Sequence, residues 1–393
     1  MTTKISKIEN KVLEIFTGSN AVISALVVLL GFLVATLLII LIGRNPLVMY
    51  QALLQVVSGF DLSRGAWNVR YIGEWIVISM PLILCGLSMG FSVRAGLFNI
   101  GAEGQYIAGL TAAQLIAVGF VRVTGERVSV YFSIAVLGAM FFGALWGGIA
   151  GLLKARYKVS EVVATIMMNY IAFFIHRLIT LNIPGSNTFK TPNFPVTATL
   201  SNPVLSAITN RSSLNNGLWF TVAAVVIYWL IMEKSAFGFS LKAVGFNREA
   251  ALYAGMRVKT NITSAMAISG AFAGLAGAVV SLGMFNYGRI LTTFDNYGFD
   301  GIAVALAGNC SALGIAIMGL LFGMLKSAQP LMQLRQIPRE IASIIMGLVV
   351  VFIALRPGVQ MFVEWRRKKK NLIQENSHKE DKKREEHKEE IKV

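Results

Sequence analysis

The sequence predicts an all-α polytopic membrane protein of about ten transmembrane helices, some of them broken, and three observations carry that prediction. Of its 393 residues 55% are apolar and 14% charged, with a mean hydropathy of +0.63, whereas a soluble domain carries about 25% charged residues. Several charge-free runs approach the roughly 20 residues that a helix needs to cross about 30 Å of hydrocarbon. The chain also holds 37 Gly but only 9 Pro, a balance suited to helices packed closely where lipid supplies no hydrophobic drive for association. A transmembrane barrel would instead show short alternating segments, a pattern this sequence lacks.

Taken in order, the first run is Ala21 to Gly43, which is free of charge. It is longer than the core of a signal peptide, about 7–15 residues, and no small-x-small cleavage site follows it, so it reads as an uncleaved anchor. Further runs cover Ile72 to Val93, Gln105 to Val121, Val128 to Leu153, Val162 to Ile183, Leu218 to Met232, Ile262 to Met284, Tyr297 to Asn309, Ala312 to Leu325 and Ile341 to Leu355. Between them, 184–217 is rich in Asn, Ser, Thr and Pro and reads as a long outer loop. Segment 233–261 has helix-forming composition, with Glu249 to Ala254 closed by Gly255, and reads as one or two short surface helices. The organisation is therefore an N-terminal segment 1–20, a transmembrane domain 21–358 and a charged tail 359–393, which is too polar to fold alone and is suited to anionic membrane lipid.

The net charge of +16 would suggest nucleic acid in a soluble protein, but Lys and Arg accumulate on the cytoplasmic side of membrane proteins, so no nucleic-acid partner is implied. Without the tail the two sides of the alternating topology carry equal numbers of basic residues. Orientation rests on local density, namely Lys154, Arg156 and Lys158 within five residues and the run Arg366 to Lys370. Both place the termini in the cytoplasm.

Enzyme chemistry finds little material. There is no GxxxxGK[ST] loop, no HExxH and no GxSxG, and of the three His two lie in the tail. Cys85 and Cys310 are distant from one another in apolar stretches and imply neither a disulfide framework nor a metal site. Glu74, Glu161, His176 and Arg177 fall near span ends and Asp295 and Asp300 just outside one; only Glu103 stands where a charge would be buried between helices. A carrier driven by protons or sodium would more often show a deeper set of ionisable groups. Glycines four apart recur at Gly86/Gly90, Gly143/Gly147/Gly151, Gly270/Gly274 and Gly319/Gly323, which places each set on one helix face for close crossing.

The segment RAGLFNIGAEGQ, Arg94 to Gln105, interrupts an apolar region with three glycines in nine residues. Irregular backbone at membrane depth is tolerated where it is buried in protein or lines a cavity, and broken helices often present polar ends to a substrate. Phe98, Asn99, Glu103 and Gln105 could then line a path for a neutral polar ligand. Glu103 could equally cap a helix start.

The same segment resembles the hallmark of permease subunits of bacterial ABC importers in the ribose/simple-sugar and branched-chain amino acid class, especially the nucleoside branch. AVGFNREAALYAGM, Ala243 to Met256, is similar to the cytoplasmic loop of that class, and GFDGIAVALAGN, Gly298 to Asn309, is a third match in the same order and spacing. The resemblance spans roughly 21–358 and implies a type II importer-like permease bundle in the plasma membrane of a bacterium, moving nucleosides by alternating access. It also implies that Gly245, Glu249, Ala250, Ala251 and Gly255 couple the bundle to an ATPase. The chain itself would bind no cofactor; ATP and Mg would lie in a separate ABC ATP-binding subunit. A second related permease and an extracytoplasmic substrate-binding lipoprotein would complete the assembly. Ribose or another sugar, and then branched-chain amino acids, are the alternative ligands, while a proton-coupled secondary transporter and a membrane scaffold are rivals of another class.

Overall fold

A computed structural model describes residues 20–62, 65–123, 132–338, 340–349, 351, 361 and 365. The expected N-terminal segment and, apart from Met361 and Trp365, the charged tail lie outside the described residues. Residues 32–347 form one compact unit, and the described residues 20–31, 348, 349, 351, 361 and 365 fall outside it. The unit is built from helices α1 (Asn20–Leu41, which begins outside it), α2 (Leu47–Ser58), α3 (Arg70–Arg94), α4 (Ala102–Val123), α5 (Phe132–Tyr157), α6 (Glu161–Leu181), α7 (Pro203–Ile208), α8 (Gly217–Lys234), α9 (Ala236–Phe246), α10 (Arg248–Tyr253), α11 (Val258–Val279), α12 (Tyr297–Ala307), α13 (Ala312–Leu334) and α14 (Glu340–Val349). Two small antiparallel ribbons complete it: β1 (Phe60–Asp61) with β2 (Ala66–Trp67), and β3 (Lys190–Asn193) with β4 (Tyr287–Arg289).

Among the described residues six helices are long and apolar enough to cross a membrane: α3, α5, α6, α8, α13, and α11 with the turn that extends it to Met284. The described part of α1 from Val28, together with α2, α9, α12 and α14, forms shorter apolar helices. The apolar runs of the sequence and the helices coincide closely. The exception is α2, whose charge-free stretch from Asn45 to Phe60 is broken up by Gln51 and Gln55; it buries Met49, Ala52, Leu53 and Val56 on one face.

The centre is made by α3, α4 and α11, whose side chains are buried nearly all round. Glycine decides how closely they pack. Gly143, Gly147 and Gly151 of α5 lie against Gly270, Gly274, Met266 and Thr263 of α11, so that a Cβ on Gly143 would sit 2.7 Å from the Gly274 Cα. Gly86 and Gly90 of α3 receive Ile315 of α13, while Gly319 and Gly323 of α13 receive Ile83 and Ser79 of α3. These are the pairs spaced by four, and backbone contact across them replaces the hydrophobic drive that lipid does not provide. By contrast, α5, α6 and α8 show Phe141, Phe142, Leu178, Trp219 and Trp229 on exposed faces, as lipid-facing helices do.

The outer loop expected between residues 184 and 217 is a folded connection. β3 pairs with β4, nearly a hundred residues away, Asn202 caps α7 by accepting from the Val204 and Leu205 N–H groups, and Ser201 bridges to Asn215. Ser213 fastens it to α3, its backbone N–H donating to Glu74 Oε1 at 3.0 Å and its hydroxyl donating to Glu74 Oε2.

Candidate functional site

Two non-helical segments meet on α4. The first, 95–101, follows α3 and leaves its axis at Gly96, whose φ of +71° suits glycine. Its irregular backbone is satisfied by amide side chains. Asn99 Oδ1 accepts from the Gly101 N–H at 3.0 Å and its Nδ2 donates to Ser269 Oγ at 2.7 Å and to Gln105 Oε1 at 2.9 Å. Asn169 of α6 closes the other side, accepting from the Gly104 N–H at 2.8 Å and donating to the Ile100 carbonyl at 3.1 Å. Asn99, Glu103 and Gln105 are thus brought together and buried, whereas Phe98 is 38% exposed.

The second segment, 285–296, leads from α11 to α12 and descends along α4. The order of contacts shows it: Gly288 faces Gln114, the Leu291 N–H donates to His176 Nε2 at 3.3 Å while His176 Nδ1 meets Thr111 Oγ1 at 2.8 Å, Asp295 accepts from the Tyr106 hydroxyl at 2.8 Å, and Glu103 accepts from the Asn296 N–H at 2.9 Å and the Gly298 N–H at 2.6 Å. Glu103, Tyr106, Thr111 and Gln114 are spaced three to five apart, so they form one polar stripe on α4. The stripe supplies partners for a backbone that no helix ladder satisfies. Glu103 does cap a helix start, but the helix is α12, almost two hundred residues on. Gly298 permits this approach, since a Cβ there would lie 2.5 Å from the Glu103 Cα. Arg289 then holds Asp295 through two bonds of 3.0 and 2.8 Å.

A second cluster lies where α3 ends. Arg94 donates to Glu233 of α8 at 2.5 Å and to the Cys310 carbonyl at 3.2 Å, and Tyr228 donates to the same carbonyl at 2.7 Å. Lys242 of α9 reaches Glu233 at 3.3 Å. Gly245 rests directly on the break, where a Cβ would lie 2.7 Å from the Gly96 nitrogen, and Arg248 donates to the Gly96 carbonyl at 3.1 Å. Asn247 starts α10 by accepting from the Glu249 and Ala250 N–H groups, each at 3.0 Å. The helix closes on Gly255 at φ +78°, with the Met256 N–H returning to the Ala251 carbonyl. Ala251 is buried and Glu249 and Ala250 are exposed, while Phe246 and Tyr253 stand 96% and 93% free of the bundle.

The three sequence motifs therefore touch: Arg94–Gln105 grips Gly298–Asn309 through Glu103 and the following Cys310 through Arg94, and it grips Ala243–Met256 through Gly96. Sequence reasoning missed Asn169, Ser269, Tyr106 and Arg289, and it noted Asp295 only as an acid just outside a span. For Asn169, Ser269 and Tyr106 the signal was a polar side chain inside an apolar run; Arg289 and Asp295 lie between two runs. Among the described residues no group of three His, Cys, Asp or Glu could hold a metal, and both cysteines are free and buried.

A helical bundle with a buried break held to a short, apolar-tipped surface helix accords with the permease class of transport proteins, which sequence comparison identifies. A family model described as the permease component of the branched-chain amino acid transport system matches residues 71–354, and the chain belongs to this family. It is 40% identical over 350 residues to the guanosine ABC transporter permease protein NupP of Bacillus subtilis (strain 168), covering 87% of this chain and 98% of that protein. To the nucleoside ABC transporter permease protein NupB of Lactococcus lactis subsp. cremoris (strain MG1363) it is 35% identical, over 86% of this chain and 91% of the other. A glucose ABC transporter permease protein of Haloferax volcanii is 33% identical over 71% of this chain and 75% of its own length. No solved structure matches.

Proposed function

We propose that this chain is the membrane-spanning permease subunit of an ATP-driven importer and that its solute is a nucleoside. The observation that carries the reading is the contact between the surface segment and the buried break: Gly245 and Arg248 bear directly on Gly96. A push on α10 from a partner would pass through Gly96 into the segment that holds Asn99 and, through Glu103, into α12. In this reading Gly245, Glu249, Ala250, Ala251 and Gly255 receive an ATP-binding subunit, with ATP and Mg held there. Asn99, Glu103 and Gln105 shape the path, and Phe98 lies on its exposed side. About ten spans, cytoplasmic termini, a second permease and a substrate-binding lipoprotein complete the picture. The nucleoside assignment follows the guanosine and nucleoside permeases, which are similar in sequence over the greater part of both chains. The glucose permease among the relatives makes a sugar the second reading.

A proton-driven carrier is less well supported, because the interior acids already have partners. Glu103 accepts two backbone N–H groups, Asp295 is paired with Arg289 and Asp300 with Lys326.

The test is affinity capture in mild detergent followed by ATPase and uptake assays with nucleosides, ribose and branched-chain amino acids. Recovery of an ATPase and a second permease with nucleoside-stimulated hydrolysis is the expected result. Purified chain that alone moves solute down a proton gradient would overturn it. Gly245→Val places branched carbons against the Ala95–Gly96 backbone and is expected to cut uptake at least tenfold while the assembled complex still hydrolyses ATP.

A further inference from the structure

Only four residues, Gly308 to Ser311, join α12 to α13, and two of them hold a conformation that side chains resist. Asn309 and Cys310 have φ angles of +52° and +50°, the left-handed region that Asn visits occasionally and other L-residues rarely, and then as single residues. Two in succession persist only where the surroundings over-determine them, and such places gather at switch regions. Within the turn the Asn309 N–H donates to the Leu306 carbonyl at 3.0 Å, the Cys310 N–H to the Ala305 carbonyl at 2.8 Å, and the Ser311 hydroxyl to the Gly308 carbonyl at 3.0 Å. The Cys310 carbonyl is taken by side chains from two other helices.

Tyr228 of α8 donates to it at 2.7 Å and Arg94 of α3 donates to it through Nε at 3.2 Å. Both donors are firmly placed. Tyr228 is 1% exposed and its ring meets Phe91 edge to face, with centroids 5.9 Å apart; Gly90 lets its hydroxyl come close, since a Cβ there would lie 3.1 Å away. Arg94 is fixed at its other nitrogens by Glu233 Oε1, which accepts from Nη1 at 2.5 Å, and Glu233 Oε2 accepts from Lys242 of α9 at 3.3 Å. α9 is also the helix that sets Gly245 on the break at Gly96. The surface segment therefore reaches α12 at both ends: at its start through Gly96 and the Glu103–Gly298 bond, and at its finish through Lys242, Glu233, Arg94 and the Cys310 carbonyl. A helix of 11 residues held at both ends and bounded by non-helical backbone can be displaced as one piece.

We infer that Arg94 and Tyr228 are positioning residues that hold the Asn309–Cys310 turn in its left-handed form, and that Glu233 passes movement of α9 through Arg94 to the C-terminal end of α12. This assignment rests on the transport reading above and adds to it a second connection, independent of Gly96. A displacement entering at Gly96 alone would tilt α12 about its far end; with the turn latched to the same surface segment, both ends shift together. Without either donor the turn relaxes towards right-handed backbone, and α9 then moves without carrying α12.

The experiment uses the complete complex in proteoliposomes with radiolabelled guanosine and ribose, and reads solute moved per ATP hydrolysed with whichever probe the wild type takes up. Tyr228→Phe and Glu233→Gln are each expected to lower that ratio about fivefold, the effect of one lost hydrogen bond, while hydrolysis itself continues. Cys310→Gly adopts positive φ without a latch, so it should restore the ratio in Tyr228→Phe and not in Glu233→Gln, a difference that lost stability alone would not produce. The chain has one other cysteine, Cys85, so in Cys85→Ala the turn carries its own reporter. The rate at which a maleimide labels Cys310, followed on the gel band of this chain, should change when a non-hydrolysable ATP analogue is added, and Glu233→Gln should abolish the change. A wild-type complex that moves neither probe with ATP would overturn the transport reading and this inference with it. ATP-driven uptake in the wild type with an unaltered ratio in both variants, a ratio that Cys310→Gly does not restore, or labelling indifferent to nucleotide would overturn the latch and leave the transport reading standing. If Tyr228→Phe fails to accumulate, Glu233→Gln decides alone.

Discussion

Glu103 shows how one residue can join two distant parts of a membrane protein. Glu103 is 0% exposed and, among the described residues, forms no ion pair; its carboxylate is held by the Asn296 and Gly298 N–H groups at the start of α12. Hydrogen bonds to a charged acceptor contribute about 1.5–3 kcal/mol each, and the helix dipole adds to them. Glu103→Gln keeps the shape but replaces one acceptor oxygen by a donor that faces an N–H. A lower unfolding temperature in detergent, together with reduced uptake, is expected; an unchanged melt would show that the cap is not structural. The sequence marked Glu103 as the one acid buried between helices and left open whether it faced ligand or capped a helix. Its true partners could not be read, because nothing local in the chain links residue 103 to residue 298.

At the scale of elements, helix identity was legible and helix contact was not. Runs such as Ile72 to Val93 and Ile262 to Met284 became α3 and α11 because hydrocarbon leaves backbone groups no other partner. α2 escaped because its apolar face is interrupted by Gln51 and Gln55, the second of which is buried and accepts from Arg335 at 2.9 Å. The glycine spacing showed which faces pack without showing against what. The pairing of α5 with α11 can be tested directly: Gly270→Leu forces a side chain into the Gly143 carbonyl and the backbone of Ala144. Overpacking of this kind costs about 1–3 kcal/mol or more, so the variant should fold poorly at 37 °C and recover in part at 20 °C, as membrane-fraction yield would show. Gly255→Ala, where no atom would meet the added Cβ, should disturb only the end of α10 and leave yield unchanged.

For the whole molecule, the three motifs form one connected unit, yet the sequence treats them as separate strings. Gly96 of the first touches Gly245 of the second, and Glu103 of the first holds Gly298 of the third. Glycine spacing marked the first motif and composition the second, the resemblance picked out the third and gave all of them roles, but their adjacency belongs to tertiary packing. The basic tail stands apart from this unit in sequence, with Arg366 to Lys370 beside the last apolar run. Deleting residues 366–393 should leave KM for uptake unchanged and lower the amount of protein in the membrane, measured by quantitative blotting. A loss of uptake per molecule would assign the tail to the transport cycle.

The path of the segment 285–296 back along α4 also constrains how the protein is made. α4 leaves the ribosome almost two hundred residues before the backbone that satisfies Glu103, so the nascent chain carries an acid in the first turn of α4 whose N–H partners do not yet exist, and an ionisable group within a transmembrane segment is costly to insert. Chains shorter than that point should be short-lived in the membrane, and chains long enough to present the Gly298 N–H should gain lifetime abruptly. In pulse-chase of truncated chains, Glu103→Leu should lengthen the lifetime of those ending near residue 290 and shorten that of the full-length protein. Biogenesis would then be timed by a single carboxylate waiting for the far end of its own chain.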